Sequence, residues 1–136
     1  MDFSRRYLVF ALSYAAIGMA LGIYMAASHD HGQLVTHAHV LLVGFVLSLI
    51  YGIIHRLWLD APRRTLANIQ FVLHQLAAVA MFVGLFLLYG GKAAEATLEP
   101  LLGFGSSGVL AGMLLMLYMV LRPGAVPAAQ ADKAAA

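Results

Sequence analysis

Four long apolar segments constrain this chain more than anything else in it: Tyr7–Ser28, Leu34–His55, Leu66–Gly90 and Leu98–Leu121. Each reaches the roughly 20 residues that an α-helix needs to cross a bilayer. No Lys, Arg or Asp lies inside any of them, and the one acidic residue, Glu99, sits at an end. Charged residues make up 10% of the chain, against about 25% in a soluble domain. The links Ser28–Gln33, Arg56–Thr65 and Gly91–Thr97 are short, and short links imply antiparallel neighbours. The expected fold is therefore all-α: a four-transmembrane-helix up-down bundle over residues 1–121. An Ala- and Pro-rich tail, 122–136, follows and is expected to be disordered. Arg5 and Arg6 precede the first apolar run, but that run is long and Ala26-Ala27-Ser28 is a weak cleavage match. The first span is expected to be retained.

Charge orients the bundle. Arg5, Arg6, Arg56, Arg63, Arg64, Arg122 and Lys133 fall on one side, and Lys92 alone falls on the other. The positive-inside rule then puts both termini in the cytoplasm (N-in/C-in), in a cytoplasmic membrane of bacterial type. Trp58 and Tyr7 fit interface anchors on the inner side. A net charge of +2 is no nucleic-acid signature, and the lack of cysteine excludes disulfides, Cys-ligated zinc and iron–sulfur clusters.

The outer mouth of the second span carries His37 and His39. An ionisable residue inside a span is costly and marks a functional site by default. Imidazole nitrogens bind iron, copper and zinc. Residues two apart on an α-helix point roughly 200° away from each other. Such a pair cannot chelate one ion, but it can serve two cofactors, one per face. Below it, Leu41, Gly44, Ser48, Tyr51 and His55 recur at helical spacing on the face of His37. That face suits close packing through Gly44 and Ser48, with Tyr51 bonded to a neighbour; a hydrated proton path is the sharper alternative. Gly18-x-x-x-Gly22 reads as a helix-contact motif.

His37-Ala38-His39-Val40-Leu41-Leu42-Val43-Gly44, followed by Tyr51-Gly52-Ile53-Ile54-His55-Arg56-Leu57-Trp58, resembles one span of the haem–copper oxidase catalytic subunit. In that family a His-x-His pair opens the span near the outer surface. One histidine ligates the low-spin haem and the other the active-site haem. The resemblance covers about 22 residues and implies non-covalent haem b at His37 and His39, with Gly44 as a close-packing position. This chain departs from the family in three ways. It has four spans where the family has twelve, arranged as three arcs of four. It has no histidine cluster matching the copper site, so oxygen reduction is not implied. It lacks the arginine pair that serves the haem propionates, which leaves Lys92 as the candidate partner.

Three copies of a four-span chain match three arcs. In a closed homotrimer the second span sits between two pores, so His39 of one protomer and His37 of the next can share a haem; homo-oligomers usually adopt such closed symmetry. Bis-histidine ligation leaves no open iron position, which implies electron transfer or redox sensing with no independent catalysis. His74 is a weaker candidate ligand. It stands about 12 Å above the inner end of its helix and His39 about 24 Å above His55, a mismatch for one haem. His74-Gln75 reads as a buried hydrogen-bonding pair, and His55 as hydrated at the inner interface. The alternative is a copper- or zinc-binding membrane accessory or transport protein using His29, His31, His37 and His39. Donor, acceptor and redox partner are not legible from sequence.

The topology has a direct test. Reporter fusions after Gly32 and after Arg64 are expected to read outside and inside respectively; the reverse pattern would invert the orientation.

Overall fold

A computed structural model of the chain describes residues 2–59 and 63–122. Beyond Arg122, the tail expected to be disordered lies outside the described residues. The described residues form four long helices: α1 Phe3–Ser28, α2 Leu34–Leu57, α3 Arg64–Tyr89 and α4 Glu95–Leu121. Each is long and apolar enough to cross a membrane. The all-α four-helix fold is as expected. The helices start a few residues earlier than the apolar segments, because a helix continues through Phe3–Arg6, Arg64–Thr65 and Glu95–Thr97 at the ends of the spans.

The bundle is built from two hairpins, α1 with α2 and α3 with α4, joined mainly where α2 meets α3. Lipid tails are as apolar as leucine, so nothing but packing and hydrogen bonding draws spans together. Small residues supply the packing. A Cβ on Gly108 of α4 would lie 2.6 Å from the Ala77 Cβ, and one on Gly105 would lie 2.8 Å from the Met81 backbone nitrogen. The α3 and α4 backbones therefore approach as closely as glycine allows. Gly18 of α1 gives room to Leu41, whose Cδ2 would be 2.5 Å from an added Cβ. Gly44 faces both Tyr14 of α1 and Phe82 of α3, at 2.8 and 3.1 Å from such a Cβ. The close-packing role expected of Gly44 is what the structure gives it.

The second span is not a uniform α-helix. It is α-helical over Leu34–His39 and Leu47–Leu57, but π-helical over Val40–Val46. There the Leu47 N–H reaches back five residues, to the Leu42 carbonyl. The wider turn shifts the register. From Gly44, inside the stretch, through Ser48, Tyr51 and His55 the expected face is buried. Towards the start of the helix the buried line passes through Val40 and Thr36, not Leu41 and His37. A uniform 3.6-residue period is wrong by one residue above the π stretch. As a result, His37 and His39 flank the buried line on either side.

Two substitutions in α4 separate packing from propensity. Gly108→Val is expected to destabilise the bundle by about 1–3 kcal/mol through overpacking against Ala77. Gly103→Ala, with no atom within 4 Å of its Cβ position among the described residues, is expected to be neutral or to stabilise by up to about 1 kcal/mol. Reversible unfolding in mixed micelles measures both, and equal losses would refute the packing assignment.

Candidate functional site

His37 and His39 are held by their Nδ1 atoms. His37 reaches across to α1, with Nδ1 2.9 Å from the Gly18 carbonyl oxygen. Gly22, one turn further along α1, lies against the same ring: a Cβ there would be 2.9 Å from His37 Cε1. The Gly18-x-x-x-Gly22 motif is thus a slot for Leu41 and His37. His39 Nδ1 lies 2.8 Å from the carbonyl oxygen of Val35, one turn back on its own helix. A carbonyl oxygen can only accept, so in each ring Nδ1 carries the proton and donates. The lone pair is then on Nε2. Among the described residues neither Nε2 makes a hydrogen bond, and neither is sealed in the interior. Both rings are half-buried. An imidazole fixed through Nδ1–H to a carbonyl, with Nε2 open, is the usual arrangement of a metal-ligating histidine.

The turn bearing the pair is fastened to the neighbouring helix. The Thr36 hydroxyl donates to Gln33 Oε1 at 2.7 Å, and Gln33 Nε2 donates to the Phe86 carbonyl of α3 at 3.0 Å. Lys92 is exposed and lines an outer cleft with Asp30, Gln33, Tyr24 and Tyr89. Neither His37 nor His39 lines that cleft. His29 and His31 are exposed in the loop after α1, with His29 in the left-handed region at φ 55°. Among the described residues, no three of His, Asp or Glu gather into a group able to hold a metal ion.

A second polar zone occupies the half of the bundle nearer Phe3 and Arg64, where α1 and α3 begin. His74 is fully buried, and its Nε2 lies 3.2 Å from the Ser48 hydroxyl. Ser48 is nine residues below His39, roughly 13 Å of helix rise. His74 is therefore paired with α2 well below the outer histidines, as its height implied. Gln75 is also buried, but its partner is the Tyr14 hydroxyl of α1, at 2.8 Å. The two adjacent residues thus bond to different helices and not to each other. Tyr7 donates to Gln70 Oε1, and Gln70 Nε2 donates to the Gly112 carbonyl of α4 at 3.3 Å.

Two residues at this end depart from expectation. Tyr7 is not an interface anchor: it is fully buried and bonded to Gln70. His55 is not hydrated: it is buried, stacked on Phe3 at 5.2 Å and on Tyr7 at 5.7 Å. Among the described residues neither His55 ring nitrogen has a hydrogen-bond partner. The aromatic residues at the start of α1 cover a ring that sequence position places near water. Tyr51 is buried, and its hydroxyl donates to the Met113 sulfur of α4 at 3.7 Å, a bond to a neighbouring helix as expected. The Tyr7, Tyr14 and Gln70 partnerships were missed in the sequence. Their only signal is a Tyr or Gln inside a span, which demands some partner without naming it.

Compared with known protein families, with curated proteins and with solved structures, the chain matches none. The likeness to the haem–copper oxidase span therefore rests on residues 37–58 alone.

The inner network is expected to hold the fold together without colouring it. Ser48→Ala and Tyr7→Phe are each expected to cost about 1 kcal/mol of stability and to leave any visible absorption unchanged. Loss of absorption in either variant would move the cofactor site inward.

Proposed function

We propose that this chain is a membrane-embedded b-type haem protein for electron transfer or redox sensing. In this reading His37 and His39 would hold haem iron, each haem being shared between neighbouring protomers. The observation that carries it is the fixed tautomer of both histidines: Nδ1–H is held by the Gly18 and Val35 carbonyls, and Nε2 is left open. The likeness of His37–Gly44 and Tyr51–Trp58 to a haem-ligating span supports the same assignment. Bound there, the haem would supply one-electron redox chemistry. The chain's own part is to orient the imidazoles, through Gly22 and the backbone carbonyls, and to keep the helix faces around them apolar.

Assembly follows from the same geometry. His37 leans on α1 while His39 turns back along its own helix, on the other flank of the buried line. One chain cannot close both around one iron. His74, engaged with Ser48, is not at hand as a second ligand. A neighbouring copy is the remaining source, and a closed homotrimer of four-span chains has the span count of a twelve-span ring. Lys92 is the proposed propionate partner. The proposed location is a cytoplasmic membrane of bacterial type with both termini inside, on the basic-residue asymmetry. The copper or zinc reading gains no comparable support, since His29, His31, His37 and His39 are not gathered.

The purified protein scanned from about 350 to 700 nm, oxidised and reduced, is expected to show low-spin haem bands. His39→Ala and His37→Ala are each expected to abolish them, and His55→Ala to spare them. Native mass spectrometry is expected to give three chains with one haem per chain. A full low-spin signal in the double His37/His39 variant would overturn the ligation, and a monomer with a full bis-histidine haem would overturn the sharing.

A further inference from the structure

An open apolar groove of about 240 Å³ runs along the seam between α1 and α2. It lies at the end of the bundle that carries Arg5, Arg6, Arg56, Arg63 and Arg64. Leu8, Leu49 and Ile53 line its length, and Ser4 and Arg56 line the end nearest the helix termini. Gly52 sets the seam. A Cβ there would lie 3.2 Å from the Tyr7 Cβ and 3.3 Å from the Ser4 carbonyl oxygen. The helices meet at that point, and α2 has no side chain to fill the trough beside it.

The occupant is decided by place and charge. The groove faces outward from a span, so hydrocarbon chains surround it. Its walls are apolar and its end is a guanidinium, which grips phosphate oxygens in a bidentate fork. Arg6 is engaged elsewhere, with Nη1 2.9 Å from Asn68 Oδ1 and its guanidinium 4.1 Å from the Phe71 ring centre. The Asp2 carboxylate is turned to cap α1, accepting from the Arg5 N–H at 2.8 Å. Arg56 is exposed and is the one basic residue among those lining the groove. Basic pockets between spans favour anionic headgroups.

We propose that this groove binds one anionic glycerophospholipid from the leaflet at the arginine-rich end. An acyl chain lies along Leu8, Leu49 and Ile53, and the phosphate sits on Arg56. The site is independent of any cofactor at His37 and His39.

The full-length protein, delipidated in detergent, is offered equimolar phosphatidylglycerol and phosphatidylcholine and read by native mass spectrometry. One tightly retained lipid per chain is expected, with a preference of about fivefold for phosphatidylglycerol. Arg56→Gln is expected to bring the two lipids near parity. Ile53→Trp, which narrows the groove without touching the arginine, is expected to lower retention of both. Arg64→Gln, at the same end but outside the groove, is expected to change nothing. A wild-type preference retained in Arg56→Gln overturns the site. So does an equal loss in Arg56→Gln and Arg64→Gln, which would mean diffuse attraction to a basic surface.

Discussion

Close approach of backbones is the constraint on which the rest of this bundle depends. In lipid there is no hydrophobic gain from bringing one apolar helix against another. What remains is dispersion between surfaces that fit, and a few hydrogen bonds. Glycines supply the fit at every major contact. Gly105 and Gly108 let α4 lie on α3, Gly18 admits Leu41, and Gly44 receives Tyr14 and Phe82 from two helices at once. Gly44 also lies within the π-helical turn. The helix widens where both neighbours press on it.

That widened turn separates two kinds of chemistry. Below it, Ser48, His74, Gln70, Gln75, Tyr7 and Tyr14 pair across helices and are cut off from solvent. Interhelical bonds of this sort contribute about 0.6 to 2 kcal/mol each, and they also fix which helices meet. Above it, among the described residues, His37 and His39 bond to backbone carbonyls and keep a nitrogen open. Below it, His55 Nδ1 and Nε2, His74 Nδ1 and Gln75 Nε2 also have no partner among the described residues, but they are sealed in the interior. The open nitrogens of His37 and His39 are not sealed, which is why the functional proposal rests there.

The two ends of the molecule also differ in what they offer the membrane. One end is rich in arginine, with Arg6 stacked on Phe71 and bonded to Asn68. The other carries histidines, Asp30 and Lys92 in short exposed segments.

The sequence alone determined the four helices, their antiparallel order and the candidate residues. Apolar length leaves a span little choice but a helix, and short links leave consecutive helices little choice but to turn back. Composition likewise marked His37, His39 and His74 as residues that need a reason. Tertiary structure decided the rest. A period of 3.6 residues, carried through the second span, put His37 on the buried line; one π-helical turn moved that line to Thr36 and Val40. A polar side chain in a span announces that it needs a partner but not which one. Hence Gln75 went to Tyr14, His74 to Ser48 and Tyr7 to Gln70. His55 lost its water because Phe3 and Tyr7, about fifty residues away in sequence, fold over it. Those choices depend on which faces meet across helices, and pair distances across a bundle are not written in the spacing along any one helix.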